Sequence, residues 1–499
     1  MKAATGALLP PLESHVDRSG APLHRQVYAR IRGSILTGAL KPGHRLPSTR
    51  TLASDLGLSR ITVESAFTQL RAEGFVVRRV GSGSFVADVM PETVRAPRMM
   101  RGAGARTSTP ARRAPHADAL SARGRAITRA ALEPEPVGVR VLQPCMPALD
   151  VFPHATWARI VARRARQQGT ALLSYGDAAG FRPLREAVAT YLCGARGARC
   201  SWEQVVIVSG AQQGIELAAR LLLDPGDEAW LEEPGYLGAR GALHTAGASV
   251  IPVRVDDEGL DVDAGIEAAP RARLAYVTPS HQYPLGVTMS LARRLALLAW
   301  AERANAWIIE DDYDSEFRYS GRPIASLQGL DEAGRVFYVG TFNKVMFPSL
   351  RLGYLVAPPE LVDTVVAARA LSDGHPPVHA QAALADFMND GHFGAHVRQM
   401  RALYHERRDV LVDALASRLG DRLRIGPSEA GMHVAARMAE KGSDAELVAA
   451  ANAKGVGVGG LARQYVGRQK AQGLLLGFSG SPPDEMRRAV KVLAKLMER

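Results

Sequence analysis

The amino-acid sequence predicts an α/β protein in two bodies: a small α+β module on the N-terminal side and a large body built on a mainly parallel sheet. Three observations predict it. The 499 residues are too many for one ordinary domain. Beyond about Val141, short apolar runs alternate with helical patterns, as they do where crossover helices cover a parallel sheet. The charge is divided unequally: of 62 Lys+Arg and 50 Asp+Glu, residues 1–140 hold 22 and 10. The formal excess of +12 therefore lies in the N-terminal part, and such an asymmetry points to a polyanionic partner there.

Composition removes several classes. A hydrophobic content of 46% is that of a chain with a sizeable core. Three cysteines, Cys145, Cys193 and Cys200, supply neither a disulfide framework nor paired metal-binding CxxC motifs. No stretch approaches the roughly 18 uninterrupted apolar residues of a membrane helix. The first residues, with Lys2 and the Pro10-Pro11 break, lack the apolar run of a signal peptide. The expectation is a soluble cytoplasmic protein without a membrane segment.

Residues 17–88 are dense in helix and turn signals. Leu23, Val27, Ile31 and Ile35 share one helical face that ends by Gly38, and Lys41-Pro42-Gly43 makes a turn. Ser48 is placed to cap a second helix, which Gly57 ends, and Ser59 to cap a third. That third helix is expected to turn Ile61, Ala66 and Leu70 inward and Arg60, Thr62 and Ser65 outward. Two helices joined by a short Gly-containing turn form a helix-turn-helix, whose second helix enters the DNA major groove. Phe75–Val77 and Phe85–Val86, joined by the basic, Gly-rich stretch 78–84, predict a β-hairpin wing.

Residues 89–140 hold ten arginines with repeated Pro, Gly and Ser and no sustained periodicity, the composition of a flexible linker. A flexible chain of that length has an r.m.s. span of roughly 40 Å. The body follows over 141–499. Strand-like runs at 205–208, 274–277, 307–309 and 336–339 each lead into a polar or Gly-rich loop. In a parallel sheet, loops at the carboxyl ends of the strands converge on one crevice. Ser209-Gly210-Ala211-Gln212, opening a helix, suits an anion such as phosphate. Asp311 at one strand end and Lys344 at another can grip opposite ends of an aromatic cofactor. Pyridoxal 5'-phosphate needs that set: an amine for its aldehyde, a carboxylate for its pyridine nitrogen and donors for its phosphate.

The N-terminal residues resemble a known family. Lys41-Pro42-Gly43, Leu46-Pro47-Ser48-Thr49-Arg50, Ser59-Arg60-Ile61-Thr62-Val63, Glu73-Gly74 and Gly81-Ser82-Gly83-Ser84-Phe85-Val86 resemble the winged helix-turn-helix of GntR-type regulators. The resemblance implies that Arg45, Ser48, Arg50, Ser59, Arg60, Thr62 and Gly83 meet operator DNA, with Thr62 at the front of the recognition helix.

The body resembles fold-type I aminotransferases over about 350 residues, most closely at Thr341-Phe342-Asn343-Lys344 and Pro348-Ser349-Leu350-Arg351-Leu352-Gly353. The resemblance implies that Lys344 is joined to the cofactor aldehyde and that Arg351, Thr341, Ala211 and Gln212 hold phosphate. By the same resemblance Asp311 pairs with the pyridine nitrogen, Tyr313 with the phenolic oxygen, Tyr236 stacks on the ring, and Tyr175 reaches the phosphate of a neighbouring subunit. The chain departs from the family on the substrate side. Tyr283-Pro284-Leu285-Gly286 stands where an Asn-Pro-(Thr/Ser)-Gly turn is usual, leaving His281 or Gln282 to make the missing contact. Leu474-Leu475-Leu476-Gly477-Phe478 lacks the arginine that clamps an α-carboxylate, for which Arg463 or Arg240 are replacements. The pairs His375/His379 and His392/His396 have metal-like spacing without a neighbouring acid, and no metal is expected.

The domain order resembles that of the MocR/GabR regulators, which implies a homodimer that binds an operator through its head and senses an amine, an amino acid or the cofactor through its body. Arg463, His281 and Gln282 are then the effector contacts. The alternative is a working aminotransferase with an appended DNA-binding head.

Overall fold

In a computed structural model, residues 21–88, 120–130, 138–167, 169–321, 325–440, 442–467 and 470–498 are described. They fall into two compact units divided between Arg113 and Ala114. In the first unit, helix α1 (Leu23–Leu36) buries Val27, Ile31 and Ile35, the predicted face. Ser48 Oγ accepts from Thr51 N at 3.1 Å and starts α2 (Thr49–Leu56), and Gly57, at φ 62°, ends it. Ser59 Oγ does the same for Thr62 N at 3.2 Å and starts α3 (Arg60–Ala72). Strands β1 (Val76–Arg79) and β2 (Gly83–Val86) pair antiparallel as the wing, with Val76 opposite Val86.

One inward residue is corrected. Helix α3 buries Val63, Ala66, Phe67 and Leu70, and Ile61 is 79% exposed. At about 100° per residue, Ile61 lies roughly 200° around the helix from Val63, on the face opposite the core stripe.

Most of the expected linker lies outside the described residues. Where it is described, Ala122–Ala130 forms a helix, α4, in place of irregular chain. Ser121 Oγ accepts from Gly124 N at 3.0 Å at its start, and alanine and arginine are good helix formers. The helix runs beside α8, introduced below.

The second unit continues with α5 (His154–Gln167), α6 (Arg182–Arg196), β3 (Val205–Val208), α7 (Ala211–Leu222), β4 (Glu228–Glu233) and α8 (Leu237–Ala246). Next come β5 (Ser249–Asp256), β6 (Gly259–Leu260), α9 (Val262–Ala268), β7 (Leu274–Val277), α10 (Leu291–Arg303) and β8 (Trp307–Asp312). Then follow α11 (Leu327–Leu330), β9 (Val336–Thr341) and β10 (Gly353–Val356). These strands form one sheet of eight in the order β3-β10-β9-β8-β7-β4-β5-β6. The pairings β4–β5, β4–β7, β7–β8 and β8–β9 are parallel, and β10 enters antiparallel between β9 and β3. Period-2 alternation sends Val206 and Val208 to the core under α7 and α8, and Val205 and Ile207 to the opposite core.

Three helices, α12 (Val362–Asp373), α13 (Val378–Asn389) and the long α14 (His392–Leu419), lead to a second, smaller sheet that the sequence did not announce. It comprises β11 (Leu423–Ile425), β12 (His433–Met438), β13 (Gly459–Gly460) and β14 (Gly473–Gly477), all antiparallel in the order β11-β12-β14-β13. Helix α15 (Asp444–Ala453) lies within that segment, and α16 (Pro483–Met497) packs on α14. Among the described residues no helix is long and apolar enough to cross a membrane.

Candidate cofactor cleft and DNA-binding face

The four predicted loops do converge, because β3, β7, β8 and β9 run in one direction and end on one edge of the sheet. Asp311 and Thr341 prove to lie on the last turns of strands β8 and β9, which run two or three residues further than the apolar runs suggested. Asp311 is buried among apolar strands. Its Oδ2 accepts from Tyr276 Oη at 2.7 Å, and its Oδ1 is buried with no partner. Burial pushes its carboxyl up to about 7, against the Tyr276 hydrogen bond, with Asp312 and Asp314 adding to the rise. A buried acceptor of this kind asks for a cationic N–H donor. Lys344 stands at the end of β9, half-buried, and no other lysine occurs between Lys41 and Lys441.

The anion end of the cleft is a helix N-terminus. Gly210, at φ 120°, precedes Ala211 and Gln212 at the start of α7. A Cβ on Gly210 would come within 3.0 Å of Asn343 Nδ2 and 3.8 Å of the Arg351 guanidinium, so the glycine keeps this cradle open. Arg351 itself sits at φ 52° and is exposed. Thr341 Oγ1 accepts from Asn343 N at 3.2 Å. Gln212 Nε2 donates to Gly238 O at 3.0 Å and its Oε1 is buried without a partner. Tyr236 lies edge-on to Tyr283, ring centroids 5.8 Å apart. The donors, acid and amine fit pyridoxal 5'-phosphate. Tyr175 is not brought to this cleft within one chain: it is 97% exposed, edge-on to His375.

Behind the cleft runs a buried polar network. Tyr313 Oη lies 2.9 Å from His281 Nδ1, which is also 3.1 Å from Asp314 Oδ2. Burial raises the Tyr313 phenol well above its ordinary value. His281 therefore braces Tyr313 through Nδ1, and its Nε2 is buried with no partner. Gln282, expected at the effector, is engaged with the surrounding loops. Its Nε2 donates to Glu232 Oε2, Pro234 O and Tyr283 O at 2.7–3.1 Å, and its Oε1 accepts from Leu285 N. With its amide fully used, it clasps the loop around Glu232, whose carboxyl burial pushes up to about 7. Arg463, the third predicted effector contact, is exposed on the turn after β13, and its charge is felt at half-buried Arg240.

Several functional neighbours were missed. His433, on β12, has Nδ1 3.5 Å from Cys145 Sγ and Nε2 3.2 Å from Pro284 O, and burial lowers its imidazole to about 3. His281, Asp314 and His433 bring ligand atoms within 4.8 Å of one another, although their chain separation hid the grouping. Tyr276 had a signal, a tyrosine within the buried run Leu274–Val277, where a hydroxyl needs a partner. Of the His pairs, His375 Nε2 accepts from Gly176 N at 2.9 Å, and His396 Nε2 donates to Val345 O at 2.9 Å.

In the first unit, Arg45, Ser48, Arg60 and Gly83 line one concavity of about 470 Å³ between the helices and the wing, together with Arg71 and Arg78. The Arg45 guanidinium lies against Gly83, where a Cβ would meet its Nε at 3.3 Å. Arg50 and Thr62 lie outside that concavity. The Ser48 and Ser59 hydroxyls are engaged as helix caps.

Comparison with known proteins agrees with both units. Residues 23–86 match the family of bacterial regulatory proteins of the gntR type, and residues 150–492 match the aminotransferase class I and II family. The chain is 42% identical to the probable rhizopine catabolism regulatory protein MocR of Rhizobium meliloti, over 96% of this chain and 94% of that one. It is 38% identical to the HTH-type transcriptional regulator TauR of Rhodobacter capsulatus, over 81% and 82%. Its body superposes on the kynurenine aminotransferase of Pyrococcus horikoshii, a structure in complex with PMP, with TM-score 0.68 and 28% identity, over 73% of this chain and 92% of that one.

Proposed function

The chain belongs to the MocR-type transcriptional regulators, a DNA-binding gntR-family head with a pyridoxal 5'-phosphate-dependent aminotransferase-like body, and from that premise we propose that the body senses a small amine or amino acid, or the cofactor itself, and so controls operator binding by the head in a cytoplasmic homodimer. When bound, the cofactor supplies an electrophilic aldehyde and a phosphate anchor. Lys344 is the amine that holds the aldehyde. Asp311, with its unpartnered Oδ1, holds a proton at the pyridine nitrogen, and Tyr276 fixes that carboxylate from the other side. Tyr313, braced by His281 and Asp314, faces the phenolic oxygen. Arg351, Thr341 and the N-terminus of α7 hold the phosphate, and Tyr236 covers the ring. Exposed Tyr175 completes the phosphate site of the partner subunit. Arg463 takes the carboxylate of an effector.

The observation that carries a sensor over a working aminotransferase is Leu475. It is 1% exposed and packs with Leu285, Val287, Ala435 and Leu461. By the sequence match of 474–478, this apolar position is the one at which the resembling enzymes carry their arginine clamp, and an arginine clamp both binds and orients a carboxylate. Effector binding can move the head only through different affinity for two states of the body, with coupling of about 1–3 kcal/mol as a usual range. The test titrates absorbance and operator binding in parallel against amines, amino acids and vitamin B6 forms. A ligand that changes both supports the sensor; steady turnover with a keto-acid acceptor at enzyme-like rates, without effect on operator binding, supports the alternative.

A further inference from the structure

The ends of β7 and β8 present two faces. Asp311 and Tyr313 face the cofactor cleft, while Asp312 between them turns, with Ser280 of the loop after β7, to Arg196, whose Nε reaches Asp312 Oδ2 at 2.8 Å and whose Nη2 reaches Ser280 Oγ at 2.7 Å. Beyond Arg196 lies a second cavity of about 250 Å³, outside the cofactor cleft, between α6, the chain that follows β8, and α14. That volume is below the roughly 300–1,000 Å³ of drug-sized ligand sites, and suits a smaller molecule.

Two of its buried polar atoms have no hydrogen-bond partner. Glu316 is 8% exposed; its Oε1 accepts from Tyr191 Oη at 3.1 Å and its Oε2 has no partner. Ser315 Oγ, in the same wall, is likewise buried and unpartnered. Arg318 donates to Thr288 Oγ1 at 2.7 Å and Ser320 O at 3.2 Å, and Arg401 donates from Nε to Glu316 O at 2.9 Å. Among the described residues neither arginine has a carboxylate within ion-pair distance, whereas Arg196 is paired with Asp312. Arg401 is exposed and Arg318 half-buried, while Glu316 Oε2 and Ser315 Oγ are buried. Buried polar atoms are normally satisfied, so these two, converging with the arginines on one cavity, mark a ligand.

We propose that this cavity is a second small-molecule site that binds a small amino acid, with its carboxylate held by Arg318 and Arg401 and its ammonium by Glu316. Two guanidiniums favour a carboxylate in forked hydrogen bonds. Glu316 excludes a simple dianion and selects a cationic group at the other end. Burial, with Asp312 adding to it and Arg196 and the Tyr191 hydroxyl opposing it, pushes the Glu316 carboxyl up to about 7, and a bound ammonium would further favour its ionised form. The ligand would join α14 to the segment after β8. Through Arg196 and Asp312 it would sit one strand position from Asp311.

The test uses holoprotein reduced with borohydride, in which Lys344 can no longer exchange with amines, titrated calorimetrically with glycine, β-alanine and γ-aminobutyrate. Acetate and ethylamine serve as single-charge controls. At least one amino acid is expected to bind once per chain, tenfold or more tighter than either control. Arg401→Ala and Arg318→Ala are each expected to weaken it at least tenfold. Glu316→Gln brings the amino acid down to the affinity of acetate. Heat from none of the three amino acids, or binding that survives both arginine substitutions, overturns the proposal. If borohydride leaves Lys344 unmodified, the cofactor assignment fails separately, and the same titration of the untreated protein still decides the cavity.

Discussion

The head and the body spend charge in opposite ways. In the head, cations stand in water: Arg60 and Glu64 approach to 4.0 Å with side chains 65% and 54% exposed. In the body, Arg196 and Asp312 pair at 2.8 Å with side chains 8% and 1% exposed, and Asp311, Asp314, Glu232, Glu310 and Glu316 are all buried. Exposed cations attract a polyanion and answer to salt. Buried carboxylates contribute geometry, are screened little, and become costly as soon as a partner is removed. One chain thus carries a soft, salt-sensitive reader of DNA and a stiff, salt-insensitive holder of a small molecule.

The largest effect that would sharpen this contrast is Asp312→Ala. It strands a buried guanidinium and removes the acceptor of Tyr338 Oη, and is expected to cost the body about 3–5 kcal/mol in denaturant unfolding. A loss below 1 kcal/mol would mean that Arg196 finds water, and that the body is no stiffer than the head.

Next comes pH. Burial raises the carboxyls of Glu232, Glu310, Asp311 and Glu316 to about 7 in the folded cofactor-free body. Folded protein then binds more protons than unfolded protein between the ordinary carboxylate range, near about 4, and neutrality. Stability contributed this way is complete below that range and is lost as the pH rises through 7. Thermal melts of cofactor-free protein are therefore expected to fall from pH 5 to pH 8 for the body, a trend for which the head has no buried carboxylates among its described residues. An unchanged body transition over that interval would contradict the burial assigned to these groups.

Arg60→Ala is expected to weaken operator binding about tenfold and to lower the slope of log affinity against log salt by about one, with the colour of the body unchanged. Unaltered affinity would move the DNA to another face of the head. The smallest effect belongs to Glu64→Ala, whose exposed pair with Arg60 is expected to change stability by less than about 0.5 kcal/mol.

What the sequence disclosed follows the same division. The head was legible almost residue by residue, since caps and turns are local chemistry: Ser48, Gly57 and Ser59 act where they stand. Its one error, Ile61, came from placing a residue on the core stripe by hydrophobicity when the helical angle put it outside. In the body, the strand ends and the loops carrying Lys344, Asp311 and Arg351 were legible as short motifs. Long-range pairing was not. Nothing local tells that β10 enters antiparallel, that Cys145 meets His433 across 288 residues, or that Gln282 is consumed by Glu232. These contacts exist only once the sheet has been assembled.

The measurement that bears most directly on the cofactor body is peptide mapping of holoprotein after borohydride reduction. A phosphopyridoxyl group is expected on the peptide that contains Lys344 and on no other of the eight lysines, with the yellow colour lost in Lys344→Ala. An adduct elsewhere, or protein that takes up no pyridoxal 5'-phosphate at all, would contradict the assignment of the cleft between Asp311 and Lys344.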